Sequence, residues 1–168
     1  MADTWFVVNA RDADARWVER SGFGKRCLLE PEAGEFEQVG IHLSVIAPGE
    51  RSTLYHAEEA QEDFLVLRGS CTAIVEEQER QVKQWDLVHC PPGTRHVFVN
   101  EGREPCVLLM VGARTGSGIH YPVSDVALRH GAGVEVEAHS AKDAHAGIEP
   151  WRPTDPGKIG RASCRERV

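Results

Sequence analysis

Trp85-Asp86-Leu87-Val88-His89-Cys90-Pro91-Pro92-Gly93-Thr94-Arg95-His96-Val97-Phe98-Val99-Asn100 is the stretch on which the reading of this chain turns. An apolar run ends in a Pro-Pro-Gly turn, and a second run starts at once with a histidine. Pro92 suits the first central position of a type II turn and Gly93 the second, where φ must be positive. A strand leaving such a turn carries His96 in a fixed direction. Upstream, His56-Ala57-Glu58 and Glu62-Asp63-Phe64-Leu65-Val66-Leu67-Arg68-Gly69 form a partner block, in which polar residues again lead into an apolar strand closed by glycine.

Working outward, short β-rich runs fill the region from Ile41 to Val111. The expected strands are Ile41–Ala47, Phe64–Leu67, Cys71–Val75, Asp86–Cys90, His96–Val99 and Cys106–Val111, separated by Pro48-Gly49, Arg68-Gly69 and Pro91-Pro92-Gly93. Strands at this spacing predict an all-β sandwich or barrel. Upstream, Trp5–Val8 and Arg26–Glu30 read as further strands and Ala10–Arg20 as a polar segment with Trp17 and Val18, all expected to extend the sheets. Downstream, Ser124 can cap a short helix over Asp125–His130 stopped by Gly131, and Ser140 a second over Ala141–Ala146 stopped by Gly147. Pro150-Trp151-Arg152-Pro153 then reads as an irregular tail. The expected organisation is an N-terminal extension over 1–40, a barrel core over 41–112 and a C-terminal extension over 113–158. Residues Ile159 to Val168 resemble the read-through translation of a sequencing adapter and are expected not to be native.

A chain of 168 residues with 41% apolar content supports one core rather than two. Its 19 Lys+Arg against 26 Asp+Glu give a net charge of -7, and no basic cluster offers a phosphate-binding face, so nucleic acid is not an expected partner. No apolar run approaches the ~20 residues of a membrane span, and the N-terminus lacks the basic start of a secretory signal. A cytoplasmic protein without a membrane partner is expected. Cys27, Cys71, Cys90, Cys106 and Cys164 are odd in number without a C-x-x-C pair, which predicts free, mostly buried thiols.

Chemistry concentrates in the two histidine blocks. Residues two apart on a strand face the same way, so His56 and Glu58 project together, roughly 6.6 Å apart along the backbone. Glu62 follows a short polar turn and can fold back toward His56, while His96 arrives from another strand. Two imidazoles with one or two carboxylates make a ligand set for a divalent ion, and three protein ligands leave positions open for water or substrate. Glu58 and Glu62 facing one cavity without a cation would force one carboxylate to hold its proton.

These blocks resemble the paired motifs of the cupin superfamily, G(X)5HXH(X)3-4E(X)6G and G(X)5PXG(X)2H(X)3N. Glu62 stands at the required distance before Gly69, and Pro91, Gly93, His96 and Asn100 match the second motif position for position. The surrounding residues are similar to those of small, single-domain bacterial cupins of the conserved-barrel type. The resemblance implies a double-stranded β-helix, or jelly-roll barrel, with a metal in its mouth. Three positions depart from the pattern. Glu58 replaces the second histidine, Trp85 replaces the opening glycine of the second motif, and Gly49 is one residue too far from His56. With carboxylate for imidazole, the implied site is oxygen-rich, which favours iron or manganese, with zinc and nickel as further candidates. If Glu58 stays off the metal, His56, Glu62 and His96 form a two-histidine, one-carboxylate set similar to that of ring-cleaving cupins.

Two functions remain open on this reading. One is a metal-dependent enzyme on a small molecule, either a dioxygenase or an isomerase, with Glu58 as fourth ligand or catalytic base. The other is a non-catalytic module binding a small molecule or sugar. A homodimer is expected from the N-terminal strand and exposed barrel edges. His42, His89, His120, His130, His139 and His145 read as surface or hydrogen-bonded histidines, and Arg51, Arg68 and Arg95 as solvated. Phe64, Val66, Phe98 and Met110 share inward parity and can line an apolar pocket below the metal, a pattern that core filling explains equally well. Asn100 reads as a buttress for its strand end.

Overall fold

Turn residues cut the chain into strands too short to stand alone, and their apolar faces force them into two facing sheets. The computed structural model describes residues 5–12, 15–30, 36–116 and 118–156. In chain order the elements are β1 Arg16–Arg20, β2 Gly24–Leu28, β3 Val39–Ile46, β4 Ala57–Glu58, β5 Glu62–Arg68, β6 Ser70–Val75, β7 Gln78–Lys83, β8 Leu87–Cys90, β9 His96–Val99, β10 Cys106–Ala113, β11 Ile119–His120, α1 Asp125–Arg129, α2 Ala141–Ala144 and β12 Arg152–Thr154. A seven-stranded sheet runs β12-β1-β2-β3-β10-β5-β8, a three-stranded sheet β7-β6-β9, and β4 pairs with β11. All pairings are antiparallel.

Register fixes which side chains meet between the sheets. Met110 pairs with His42 on one side and Phe64 on the other, so the three share a face. Phe64, Val66, Leu108, Met110 and Ile46 from the large sheet pack against Cys71, Ala73 and Phe98 from the small one. Burying such side chains contributes about 1.5–3 kcal/mol each. Below the sandwich, Tyr55, Ile74, Val97 and Val99 pack on Ala127 of α1, whose Ser124 caps the Ala127 N–H as expected. Ser140 likewise caps Asp143 in α2.

Gly69 closes the first histidine block with φ +73°, and a Cβ there would run into the Pro105 carbonyl oxygen. Only glycine fits. Gly93 has φ +83°, and the Thr94 N–H donates to the Pro91 carbonyl at 3.1 Å, closing the expected Pro-Pro-Gly turn. Trp85, where the motif asks for glycine, also has positive φ, +76°.

Several expectations are corrected. Trp5–Val8 is not a strand; all four side chains are exposed and no sheet edge receives them. The first strand instead lies in the segment read as polar, where Trp17 is buried and donates from Nε1 to the Ala10 carbonyl at 2.8 Å. The tail read as irregular contains β12, with Pro153 on the sheet edge, where no N–H is needed. β7 also went unread, because its residues are exposed except Val82 and its turn lacks glycine. Cys27, Cys71, Cys90 and Cys106 are free and buried, as expected. Cys164 and the supposed adapter residues 159–168 lie outside the described residues. Among the described residues, no helix is long and apolar enough to cross a membrane.

Candidate metal centre

Backbone hydrogen bonds sew the two histidine blocks together. The His56 N–H donates to the His96 carbonyl at 3.2 Å and the His96 N–H returns to the His56 carbonyl at 2.8 Å. A directly opposed antiparallel pair of this kind sends both side chains to one side, and the imidazole centroids lie 4.8 Å apart. One step on, the Gly93 N–H donates to the Glu58 carbonyl at 2.7 Å, so the Pro-Pro-Gly turn also fixes Glu58. Glu62 opens β5 on the adjoining wall.

Each imidazole is oriented by its own backbone. His56 Nδ1 donates to the Leu54 carbonyl at 2.9 Å and His96 Nδ1 to the Thr94 carbonyl at 3.0 Å. A carbonyl only accepts, so Nδ1 carries a proton in both rings and Nε2 is the nitrogen turned to the cavity, where it can bind an ion once it carries no proton. His96 is almost fully buried, and burial, reinforced by His56, pushes its pKa down to about 3, so the ring stays neutral.

The carboxylates complete the cluster. One Glu62 oxygen lies 3.3 Å from His96 Nε2, and one Glu58 oxygen 3.6 Å from His56 Nε2. Donor atoms of His56, Glu62 and His96 all lie within 4.8 Å of one another. Ligands bonded at about 2.1 Å to one ion stand roughly 3 to 4 Å apart, so the two imidazoles and the carboxylate, already gathered within 4.8 Å, could hold a single divalent cation after a small inward movement. Glu58 is adjacent to this trio and more exposed. Burial first, then the Glu58 charge, pushes the Glu62 carboxyl up to about 7, while His56 beside it holds Glu58 below the usual carboxylate range. This is the expected conflict between the two carboxylates.

The cluster opens into a cavity of about 570 Å³. Phe64, Phe98 and Met110 both fill the core and line the cavity, whereas Val66 fills the core alone. Tyr121, absent from the sequence reading, stacks on His56 with centroids 5.5 Å apart. Burial, then Glu58, pushes its phenol up to about 12. His42 also lines the cavity with a buried Nε2 that has no hydrogen-bond partner, so it is neither a surface nor a hydrogen-bonded histidine. His145 lines it too, with Nδ1 bonded to the Ala141 carbonyl at 2.9 Å. His120 and His139 meet Glu137 at the surface, a grouping their sequence spacing did not disclose. Arg95 is held by Glu76 and Arg51 lies over Phe23, so neither is simply solvated. Cys90 is no nucleophile, since burial pushes its thiol up to about 12.

Two antiparallel sheets enclosing a cavity, with paired imidazoles and carboxylates at its rim, define a small β-barrel of the double-stranded helix class. Residues 42–112 match the family model described as the cupin domain, and this region is a cupin barrel. Three solved structures are similar. The polyketide cyclase RemF of Streptomyces resistomycificus superposes with a TM-score of 0.59 at 19% identity, over 69% of this chain and 84% of that one. A putative sugar phosphate isomerase of Acidithiobacillus ferrooxidans gives 0.52 at 25% identity, over 82% and 80%. A sugar phosphate isomerase from a cupin superfamily, from Silicibacter pomeroyi, gives 0.56 at 23%, over 82% and 93%.

Proposed function

We propose that this chain is a divalent-metal-dependent enzyme acting on a small molecule, with the ion held by His56, Glu62 and His96 and with Glu58 moving the proton. The observation that carries this reading is the pair of Nε2 atoms, turned to the cavity by two Nδ1–carbonyl bonds, converging with Glu62 within 4.8 Å. A bound divalent ion would supply Lewis acidity toward a substrate carbonyl or hydroxyl. Glu58, ionised beside His56 and partly open to the cavity, is placed to take a proton from such a substrate and return it. Tyr121 and Phe64 flank the imidazoles and limit the water that reaches them.

Isomerase-type proton transfer is favoured over oxygen insertion for two reasons. A second carboxylate lies beside the ligand trio without belonging to it, and the Acidithiobacillus protein of similar fold bears an isomerase name. Manganese or iron suits the donor set better than zinc or nickel. A homodimer acting on a small-molecule substrate completes the proposal.

The test is metal analysis of untagged protein ending at Lys158, beside His56→Ala and Glu62→Ala. One divalent ion per chain, lost in both variants with unchanged circular dichroism, is the expected result. No stoichiometric metal after metal-replete anaerobic expression would sink the enzyme reading and leave a binding module. Stoichiometric iron with oxygen uptake on catechols would replace the isomerase with a dioxygenase.

A further inference from the structure

The cavity face of the seven-stranded sheet changes character from one side to the other. Phe64 on β5 and Met110 on β10 are apolar, but across the next pairing stands His42 on β3, and beyond it the basic side chains of β2 and β1. Arg26 on β2 pairs with Ser44 of β3 and with Val18 of β1, and Arg20 lies two residues after Val18 on the same face. Arg20, Arg26 and His42 all line the cavity that holds the His56–Glu62–His96 cluster.

These three side chains are under-bonded. Arg20 Nε, Arg26 Nε and His42 Nε2 are buried without any hydrogen-bond partner, and Arg26 is otherwise tied only through Nη2 to the Ser52 carbonyl at 2.8 Å. Among the described residues, no carboxylate forms an ion pair with either guanidinium. Trp151 packs against both, with centroid distances of 4.9 Å to Arg20 and 4.4 Å to Arg26, which holds the forks in place but supplies no negative charge. Burial, then Arg20, pushes Arg26 down to about 10. Glu62 on the same sheet acts on Arg26 through space but does not contact it, and two neighbouring buried cations without a contacting counter-charge are costly in the free protein. An oxyanion would satisfy the open donors through charge-assisted bonds.

Charge balance narrows the ligand. A divalent ion would neutralise Glu58 on β4 and Glu62 on β5, taking up the carboxylate charge that acts on Arg26 and leaving the two guanidinium charges to be met. We propose that Arg20, Arg26 and His42 form an oxyanion subsite for a doubly charged head, a phosphate monoester, on a small molecule whose other, oxygen-bearing end reaches the His56–Glu62–His96 cluster. The chelating end rests on the proposed metal function; the oxyanion subsite does not. A cavity of about 570 Å³ is of a size that accepts a small metabolite spanning both walls.

The experiment uses the full chain, treated with chelator so that no metal can hold the anion. Thermal stability and tryptophan fluorescence are followed during titration with inorganic phosphate, with acetate, and with chloride at matched ionic strength. Saturable stabilisation by phosphate at millimolar concentration, at least tenfold tighter than by acetate, is expected. Arg26→Gln and Arg20→Gln should each weaken it at least tenfold, and His56→Ala should not change it. Should Arg26→Gln fail to fold, Arg20→Gln carries the comparison from the strand nearer the edge. Phosphate acting no better than chloride, or equally in folded arginine variants, overturns the subsite; acetate binding as tightly as phosphate overturns the doubly charged head. Phosphate binding by a chain that takes up no metal would overturn the metal reading alone.

Discussion

Glu58 and Glu62 share one rim of the cavity, yet their surroundings drive them apart. Glu62 is the more buried and gives up its proton reluctantly, whereas Glu58 is held ionised by His56. The division of labour follows: Glu62 gains most from a cation, and Glu58 is the available base. We expect Glu62→Gln to weaken metal binding at least a hundredfold and Glu58→Gln to change it less than threefold, measured by competition with a chelator. A large loss in Glu58→Gln would make it a ligand instead. His42 gives a second residue-scale prediction. Burial, then Arg26, pushes its pKa from 6.5 down to about 4. The unfolded state therefore binds the proton first, and the stability contributed by neutral His42 is complete above about 6.5 and lost as pH falls toward 4. Glu62 acts with the opposite sign, since a folded pKa near 7 makes acidification from 7 toward 4.5 favour the fold. The comparison with His42→Gln separates them: between pH 7.5 and 5 wild type should lose roughly 2 kcal/mol more than the variant in urea unfolding. Parallel pH profiles would refute the assignment.

Among the elements, apolar runs next to proline or glycine turns were the most legible, and strands of exposed polar residues such as β7 were the least. β9 was expected over His96–Val99 and lies there, because Pro92 and Gly93 set its start and Asn100 its end. Asn100 is fully buried; its side-chain amide donates to the Ile46 and Glu104 carbonyls at 2.7 and 2.9 Å and its Oδ1 accepts from the Gly102 N–H at 2.9 Å. That is the buttress read from the motif. Removing it strands three buried or part-buried partners, so Asn100→Ala should cost about 2 to 4 kcal/mol in chemical denaturation with the metal ligands untouched. The β6–β7 hairpin was hidden for a chemical reason. Its two central residues are Glu76 and Glu77, with φ +48° and +63°, where such a turn ordinarily uses Asn-Gly. Distant partners stabilise them: Glu76 grips Arg95 by backbone and side chain, and Glu77 accepts from the Ser124 hydroxyl and donates its N–H to the Tyr55 hydroxyl. No local pattern could reveal a turn held by residues so far along the chain.

At the scale of the whole molecule, the near wall of the cavity was readable because two motifs carry it. The basic side was not, since Arg20 and Arg26 of the β1–β2 hairpin meet His42 of β3 through sheet register and Trp151 reaches them only by packing from the C-terminal segment. The same register bears on assembly. At one end of the seven-stranded sheet, β12 is blunted by Pro153 and exposed Arg152, and in the small sheet β7 presents mainly charged and amide side chains. At the other end, β8 leaves Leu87 63% exposed beside Trp85, itself 71% exposed in a left-handed backbone conformation that disfavours so large a side chain. An apolar edge of this kind suits a second copy of the chain, with β8 rather than the N-terminal segment at the interface. Sedimentation at micromolar concentration should show a dimer, and Leu87→Lys should convert it to a monomer with unchanged circular dichroism and metal content. Trp85→Gly should do the same while relieving backbone strain of about 1 kcal/mol. A wild-type monomer, or a dimer indifferent to both changes, would remove β8 from the interface.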